Sequence, residues 1–279
     1  MEENLYPHIE SKDFNRKITL KKEFLNTKLK GHSKKDYKDI EKISDKLCNV
    51  KDFELTNHQQ FVRNFLSFET PYNSLLLYHG LGSGKTCTAI GVAEEMRSYM
   101  KQIGSNKSII VVASPNVQEN FKLQLFDPSK LELVDGFWNI KNCVGNVFLN
   151  EVNPMKAKNI SKDKIISDMQ KIINSYYSFY GYTEFANLII KNSNIDSNLV
   201  KNREKYIKKR LNQIYSGRLV IIDEVHNIRI SDDNKDKRVA QQLFRLVSDV
   251  DNLRLLLLSA TPLYNTYKEI IWLMNIMNL

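Results

Sequence analysis

The chain has 279 residues, of which 42% are hydrophobic and 10% aromatic, and its 41 Lys and Arg outnumber 32 Asp and Glu to give a formal net charge of +9 at pH 7. This composition can fill a core, which excludes a disordered or collagen-like chain. The apolar runs, such as residues 255–258, are far shorter than the roughly 20 residues that a membrane helix needs. The sequence therefore predicts a folded, soluble, basic protein with no membrane partner.

The N-terminal residues and the cysteines indicate the cellular compartment. The N-terminal residues lack the basic and apolar regions of a secretory signal. Cys48, Cys87 and Cys143 show no CxxC spacing, which predicts neither a disulfide framework nor a zinc site. We therefore expect an intracellular, reducing location, and Cys87 is expected to be an ordinary small residue of a helix.

Residues 1–54 mix Lys closely with Asp and Glu and contain few large apolar residues. This pattern predicts an N-terminal extension of peripheral, partly flexible helices. The apolar positions that follow recur at helical spacing and predict a helix; they are Phe61, Val62, Phe65 and Leu66.

Four short apolar segments follow at intervals, and each has the length of one strand. They are residues 75–78, 109–113, 219–222 and 255–258. Continuous rather than alternating hydrophobicity is typical of strands that are covered on both faces. With helices predicted over 86–100 and 237–250, the order of elements predicts an α/β fold with a parallel sheet between helices.

Residues 154–210 are basic, with twelve Lys and Arg against five Asp and Glu. The same stretch carries a cluster of aromatic residues, namely Tyr176, Tyr177, Phe179, Tyr180, Tyr182 and Phe185. One interpretation is a helical insertion whose aromatic side chains pack it onto the sheet. The other is a surface that meets phosphates, since clustered Lys and Arg supply the salt-dependent part of nucleic-acid binding.

A glycine-rich stretch, residues 79–86 (HGLGSGKT), lies between the first predicted strand and a predicted helix. It differs from the phosphate-binding loop GxxxxGK[ST] at one position, because His79 stands where the first glycine would be. Glycines let backbone N–H groups turn toward a polyphosphate, and the helix dipole favours negative charge there. The residues predicted to hold ATP are Gly80, Gly82, Ser83, Gly84, Lys85 and Thr86. Lys85 is expected to reach the β- and γ-phosphates, and the Thr86 hydroxyl to ligate Mg²⁺.

Asp223 and Glu224 directly follow the third predicted strand. Because the carboxyl ends of parallel strands meet at one edge of a sheet, these carboxylates are expected beside the glycine-rich loop. Asp223 is predicted to hold Mg²⁺ through water, and Glu224 to orient or deprotonate the attacking water. His226 by itself also fits a hydrogen-bonded structural residue, and residues 259–261 (SAT) by themselves fit a turn after a strand.

Taken in order, GLGSGKT, DEVH and SAT resemble motifs I, II and III of the first lobe of superfamily 2 helicases, in the DExH form. Residues 55–59 (LTNHQ) are similar to the upstream glutamine motif, and residues 113–117 (ASPNV) to motif Ia. The sequence of residues 78–86 (YHGLGSGKT) is most similar to that of the large-DNA-virus helicases related to poxvirus early transcription factor and nucleoside triphosphatase I. The resemblance implies a RecA-like P-loop NTPase lobe over residues 55–279, interrupted by the basic helical insertion at about 154–210.

The resemblance also implies roles for single residues. It makes Glu224, Lys85 and Asp223 catalytic, with Mg²⁺ held by Thr86 and Asp223. It implies that Gln59 selects adenine. It also implies that His226, Ser259 and Thr261 couple hydrolysis to movement, and that Ser114 and Pro115 contact the nucleic-acid backbone.

The activity implied by the resemblance is nucleic-acid-dependent ATP hydrolysis that remodels DNA or RNA in viral transcription, with ATP and Mg²⁺ as cofactors. The implied partners are DNA or RNA, a second RecA-like lobe whose arginines reach the γ-phosphate, and RNA polymerase or other viral transcription proteins. A viral protein of this kind is expected in the host cytoplasm or the virion. Motifs IV to VI have no counterpart in these 279 residues, so we expect a fragment or a gene product that works beside another chain, with little activity alone.

Two other functions remain open from the residues. The lobe could serve as a non-catalytic docking or transcription-accessory module, held to a polymerase by the N-terminal extension or by the insertion. It could also be a P-loop ATPase that is not a helicase, although Gln59 and the SAT segment disfavour that. The intact set of Lys85, Thr86, Asp223 and Glu224 disfavours loss of the chemistry.

Overall fold

The computed structural model describes residues 5–28, 41–42, 45, 54–80, 82–194, 202–228, 234–261 and 267–279. Seven strands lie in these ranges: β1 (Ser74–Tyr78), β2 (Ile109–Val112), β3 (Leu131–Val134), β4 (Phe137–Ile140), β5 (Tyr177–Tyr180), β6 (Leu219–Ile222) and β7 (Arg254–Ser259). The α-helices in the same ranges are α1 (Phe14–Thr19), α2 (Lys22–Leu25), α3 (Asn57–Phe65), α4 (Lys85–Gln102), α5 (Pro115–Leu125), α6 (Val147–Val152), α7 (Lys162–Tyr176), α8 (Tyr182–Ser193), α9 (Arg203–Tyr215), α10 (Asn234–Asp249) and α11 (Tyr267–Met277).

Five strands form one parallel sheet in the order β1-β7-β6-β2-β5, and β3 and β4 form a separate antiparallel pair. In the parallel sheet, Tyr78 lies opposite Ser259, and Ile222 lies opposite both Leu257 and Val112. The carboxyl ends of β1, β7, β6 and β2 therefore lie along one edge of the sheet.

Helices cover both faces of the sheet, as the apolar strands predict. Alternate residues of a strand point to opposite faces, so Ile109 and Val111 join a core with α4, α5 and α7, whereas Ile110 and Val112 join a core with α8, α9, α10 and α11. Strands β6 and β7 divide their side chains in the same way. The chain is thus an α/β lobe with a parallel sheet between two layers of helices.

The four predicted strands are confirmed, but β3, β4 and β5 were not predicted. Strand β5 lies within residues 154–210 and pairs in parallel with β2, so the prediction that this stretch is a helical insertion is wrong at residues 177–180. The reason is compositional: YSFY lacks the aliphatic run of the other strands, although Tyr177 is 4% exposed and packs in the core. The rest of the stretch contains helices α7, α8 and α9, and the boundaries of the insertion stay a prediction.

Aromatic side chains of this stretch pack into the molecule. Phe185 is 3% exposed in the core of α8 and α9, and Phe179 packs against the core on the opposite face. The packing interpretation therefore accounts for these rings. The phosphate-binding interpretation of the basic surface stays a prediction.

The described part of the N-terminal extension packs onto α3. Phe24 lies against Phe61, and the Tyr72 ring contacts Phe14. The Tyr72 hydroxyl also donates to the Pro7 carbonyl oxygen at 2.8 Å. The predicted flexibility falls in part on residues 29–40, 43–44 and 46–53, which lie outside the described residues.

The predicted connecting helices are confirmed with small shifts at their ends, as α4 and α10 show. The last helix, α11, spans Tyr267–Met277. No helix in the described ranges is long and apolar enough to cross a membrane.

The cysteine prediction is wrong for one pair. Cys87, in the first turn of α4, and Cys143, in the turn that follows β4, form a disulfide with a Cα–Cα distance of 5.2 Å. A separation of 56 residues along the chain shows no spacing motif, because only the packing of that turn against α4 brings the two sulfur atoms together. Cys87 is therefore not merely a small helical residue.

Candidate functional site

The glycine-rich loop joins β1 to α4 at the carboxyl edge of the sheet. Gly82 and Gly84 have φ values of +76° and +80°, a left-handed conformation that glycine adopts without strain. The Ser83 hydroxyl donates to the Gly80 carbonyl oxygen at 2.7 Å and closes the turn. Leu81 lies outside the described residues. Helix α4 begins at Lys85, so its N-terminal N–H groups point toward this loop.

Gln59 connects this loop to α3. Its Nε2 donates to the Gly84 carbonyl oxygen at 3.3 Å, and its Oε1 accepts from the Thr56 N–H at 3.0 Å. The side chain is buried, and a Cβ added at Gly84 would lie 2.7 Å from its Nε2. Gln59, which was predicted to select adenine, thus lies beside the loop with both ends of its amide engaged.

Lys85 and Glu224 converge although they come from different elements. Lys85 Nζ lies 4.0 Å from Glu224 Oε1, and the two side chains are 11% and 27% exposed. The ammonium group is buried and makes no hydrogen bond within the part of the chain that the structure describes. Glu224 has a φ of +47°, in the left-handed region that is uncommon for a residue with a side chain. A strained backbone at a strand end thus turns this carboxylate toward the lysine.

Asp223 lies at the end of β6 and is only 4% exposed. Its Oδ1 accepts the Glu224 N–H at 2.9 Å. The pKa of Asp223 is raised to about 6, chiefly by burial and also by the neighbouring Glu224 carboxylate, while that hydrogen bond and Lys85 oppose the rise. The carboxyl group therefore lacks enough positive charge around it to balance its ionised form.

His226, Ser259 and Thr261 also meet at this edge. His226 Nδ1 lies 3.0 Å from Ser259 Oγ and 3.3 Å from Glu224 Oε2. The Thr261 N–H donates to the same Ser259 oxygen at 3.0 Å. A continuous polar path therefore leads from the end of β7 to Glu224, and through it to Lys85.

The remaining predicted residues lie at the same edge of the sheet. Thr86 is half-buried in the first turn of α4. Ser114 follows β2 as the residue before α5, and Pro115 is the exposed first residue of that helix. Pro suits this position because its missing N–H would have no partner within the helix.

The residues present fit a triphosphate and its magnesium ion. A buried ammonium group without a hydrogen bond lies beside a glycine-rich turn at a helix N-terminus, where anions are favoured. Carboxylate and hydroxyl oxygens, supplied by Asp223 and Thr86, are the ligands that Mg²⁺ prefers.

One residue of the site was not predicted. The Tyr182 hydroxyl donates to the Asp223 carbonyl oxygen at 2.8 Å, and Asn227 Nδ2 donates to that hydroxyl at 3.4 Å. Its position two residues after β5 would have indicated the same sheet edge, had β5 been recognised.

A cavity of about 600 Å³ lies elsewhere, beside the middle of α4, and its lining includes Leu55, Gly91 and Val147. Lys85, Asp223 and Glu224 do not line it. Because the Asp223 carboxyl group with its raised pKa and the buried Lys85 ammonium group lie at the sheet edge, we place the functional site at the edge and not in the cavity.

The comparison with known families decides the assignment. Residues 57–279 match the SNF2-related domain, which is most of the chain and includes the loop, the Asp223–Glu224 pair and the SAT segment. The chain belongs to the SNF2-related domain family. Its resemblance to superfamily 2 helicases, and the parallel α/β lobe that this predicts, are therefore confirmed.

Similar proteins to this SNF2-related domain occur in large DNA viruses. Two proteins of Acanthamoeba polyphaga mimivirus, provisionally named as ATP-dependent RNA helicases, are 25% identical over 99% of the chain and 29% identical over 91% of it. An early transcription factor large subunit homologue of African swine fever virus is 25% identical over 82% of the chain. The chain spans only 23%, 37% and 24% of the lengths of these three relatives.

Proposed function

We propose that this SNF2-related domain is the ATP-binding lobe of a DExH-type helicase or translocase, which couples ATP hydrolysis to the remodelling of DNA or RNA. The observation that carries the proposal is the approach of Lys85 Nζ to Glu224 Oε1, at 4.0 Å, beside a left-handed glycine loop. The family membership and the helicase names of the mimivirus relatives support it.

In this proposal the chain's own residues bind and orient the nucleotide. Lys85 binds the β- and γ-phosphate oxygens, and its ammonium group gains the hydrogen bonds that it lacks within the described residues. Backbone N–H groups of Gly82 and of residues 84–86 bind the same phosphates. Thr86 and Asp223 hold Mg²⁺, which when bound neutralises charge on the phosphate oxygens.

Glu224 acts on the attacking water. Its carboxylate lies between Lys85 and His226 and is 27% exposed, so water can reach it. A carboxylate in this position orients the water toward the phosphate and accepts its proton. His226 Nδ1 lies 3.3 Å from Glu224 Oε2 and 3.0 Å from Ser259 Oγ, and we propose that His226 and Ser259 report the state of this carboxylate to the end of β7.

The nucleic-acid partner is proposed to contact the N-terminus of α5 at Ser114 and Pro115. Pro115 is exposed there, and backbone phosphates are attracted to helix N-termini. The African swine fever virus relative supports a role in viral transcription, with a polymerase or other transcription proteins as partners. We also propose that residues 55–279 form the lobe, that residues 1–54 extend it, and that a second lobe completes the enzyme.

A nucleotide titration tests the proposal. The full chain should bind a fluorescent ATP analogue in a Mg²⁺-dependent manner, and Lys85→Ala should weaken binding about 100-fold, or about 2.7 kcal/mol, since it removes charge-assisted hydrogen bonds. Lys101→Ala is the matched control, because it removes the same charge from the same helix, at the end far from the loop. Glu224→Gln should retain binding.

Equal affinity of the wild type and Lys85→Ala would refute the assignment of the loop. Absence of nucleotide binding by the wild type would favour the non-catalytic docking or transcription-accessory module instead.

A further inference from the structure

Tyr182 occupies a junction between three strands of the parallel sheet. It is the first residue of α8, just beyond the end of β5, and its hydroxyl donates to the Asp223 carbonyl oxygen at the end of β6. The backbone of Ser114, which follows β2, lies close enough to this hydroxyl to lower its pKa. Asn227 Nδ2 lies 3.4 Å away. A phenol offers one O–H group and two lone pairs: the O–H binds Asp223, one lone pair accepts from Asn227, and the Ser114 backbone lies beside the hydroxyl.

The backbone around the junction holds these partners in place. The Ala113 N–H donates to the Tyr180 carbonyl oxygen at 3.0 Å, and the Asp223 N–H donates to the Val112 carbonyl oxygen at 3.0 Å. Strands β5, β2 and β6 are therefore still paired where Tyr182 crosses over them. Burial raises the pKa of Tyr182, which keeps its hydroxyl protonated and able to donate.

The hydroxyl acts on a single peptide unit. The peptide between Asp223 and Glu224 has its carbonyl bound by Tyr182 and its N–H bound by Asp223 Oδ1. Rotation of this peptide would move both carboxylates, because Glu224 follows it in a left-handed conformation. The orientation of the peptide therefore sets the positions of the Mg²⁺ ligand and of the group that orients water.

We propose that Tyr182 is a positioning residue that couples the two halves of the site: nucleic acid bound at Ser114 and Pro115 shifts this hydroxyl, and the Asp223–Glu224 peptide responds. The inference rests on the proposed function, since it needs nucleotide at one end of the connection and a nucleic-acid backbone at the other. Coupling of this kind is a free energy shared by two sites and is reciprocal.

The test measures the affinity of the full chain for a fluorescent ATP analogue with Mg²⁺, alone and with a saturating single-stranded oligonucleotide, supplied as DNA and separately as RNA. In the wild type, DNA or RNA should change the nucleotide affinity at least about fivefold. In Tyr182→Phe this factor should fall below about twofold. The factor is the ratio of two affinities of the same variant, so a change in the affinity without oligonucleotide does not alter the comparison. By reciprocity, the nucleotide should lose its effect on oligonucleotide affinity to the same extent.

Tyr215→Phe is the control, because it also removes a hydrogen-bonded hydroxyl from a buried tyrosine, one whose partner is Asn192. This variant should keep the wild-type coupling factor. The inference is overturned if Tyr182→Phe keeps that factor, if Tyr215→Phe lowers it equally, or if wild type binds both ligands without coupling. Failure of the wild type to bind nucleotide would instead refute the proposed function, on which the inference rests.

Discussion

At Asp223, folding stability and the proposed chemistry oppose each other. Its carboxyl group is 4% exposed, and burial raises its pKa from 3.8 to about 6. An acid whose pKa is raised by folding is stabilised in its protonated form, so its favourable contribution is complete below pH 3.8 and is lost as the pH rises through about 6. At neutral pH the native state must keep an ionised carboxylate buried, which is useful only if a cation binds there.

Asp223→Asn should therefore stabilise the metal-free chain. The gain should be up to about 3 kcal/mol at pH 7.5 and should shrink toward pH 4, because the wild-type carboxyl group becomes neutral there. Urea denaturation of both proteins at the two pH values, without Mg²⁺ or nucleotide, measures it. Asp168→Asn is the control, since Lys171 lowers the pKa of that exposed carboxyl group. If the free energies of unfolding of wild type and Asp223→Asn differ by the same amount at both pH values, the burial argument is contradicted.

The identities of the chemical residues could be predicted at this scale, but their geometry could not. Lys85 and the Asp223–Glu224 pair are recognisable because each follows an apolar strand in a short motif. The raised pKa of Asp223 and the left-handed φ of Glu224 depend on neighbours from other strands. The engagement of Gln59 with the Gly84 carbonyl oxygen is likewise invisible in sequence, since it depends on how α3 packs beside the loop.

At the scale of elements, the disulfide joins the first turn of α4 to the turn before α6. It closes a loop of 56 residues between Cys87 and Cys143. Cross-linking a loop of this length restricts the unfolded chain and is worth about 4 kcal/mol. The disulfide therefore supports the segment against which the proposed nucleotide-binding helix packs.

Reduction should lower the stability of the chain by about 4 kcal/mol. Urea denaturation with and without a reductant gives this difference, and Cys87→Ser should remove the sensitivity to reductant. Cys48→Ser should retain it, because Cys48 is not part of the pair. Identical denaturation midpoints with and without reductant in the wild type would rule out the bond.

Strand prediction succeeded where the residues were aliphatic. Strands β2, β6 and β7 are buried on both faces, and β1 has the same continuous aliphatic run although its residues are mostly only partly buried. Strand β5 is an outer strand of the sheet, paired only with β2, and has an aromatic and partly polar sequence. The local pattern alone therefore favours a basic helical insertion. Pairing with β2 decides its conformation, and a partner distant along the chain cannot be read from a local pattern.

At the scale of the whole molecule, three arginines of the described chain are engaged away from the proposed site. Arg97 pairs with Glu94 and Glu151 in the middle of α4. Arg218 and Arg254 lie at the amino ends of β6 and β7, opposite the edge that carries Lys85. Following the family resemblance, an arginine that stabilises the transferring phosphoryl group is proposed to come from a second lobe.

The 279-residue chain should accordingly bind ATP but hydrolyse it slowly. An arginine supplied across the cleft is worth about 10³ to 10⁵ in turnover, so the rate should lie that far below the rate of a two-lobe enzyme. Steady-state phosphate release with and without oligonucleotide tests this, with Glu224→Gln as the background. Nucleic-acid-stimulated turnover of about 1 per second would show that this lobe hydrolyses ATP without a second lobe.

The amino-acid sequence by itself determined the class of fold, the positions along the chain of four strands of the parallel sheet and the residue types at the proposed site, because each of these depends on neighbours along the chain. Tertiary structure alone decided the place of β5, the Cys87–Cys143 bond and the junction at Tyr182. These features join segments that are distant in sequence, and only the packing of the sheet and its helices brings such segments within bonding distance.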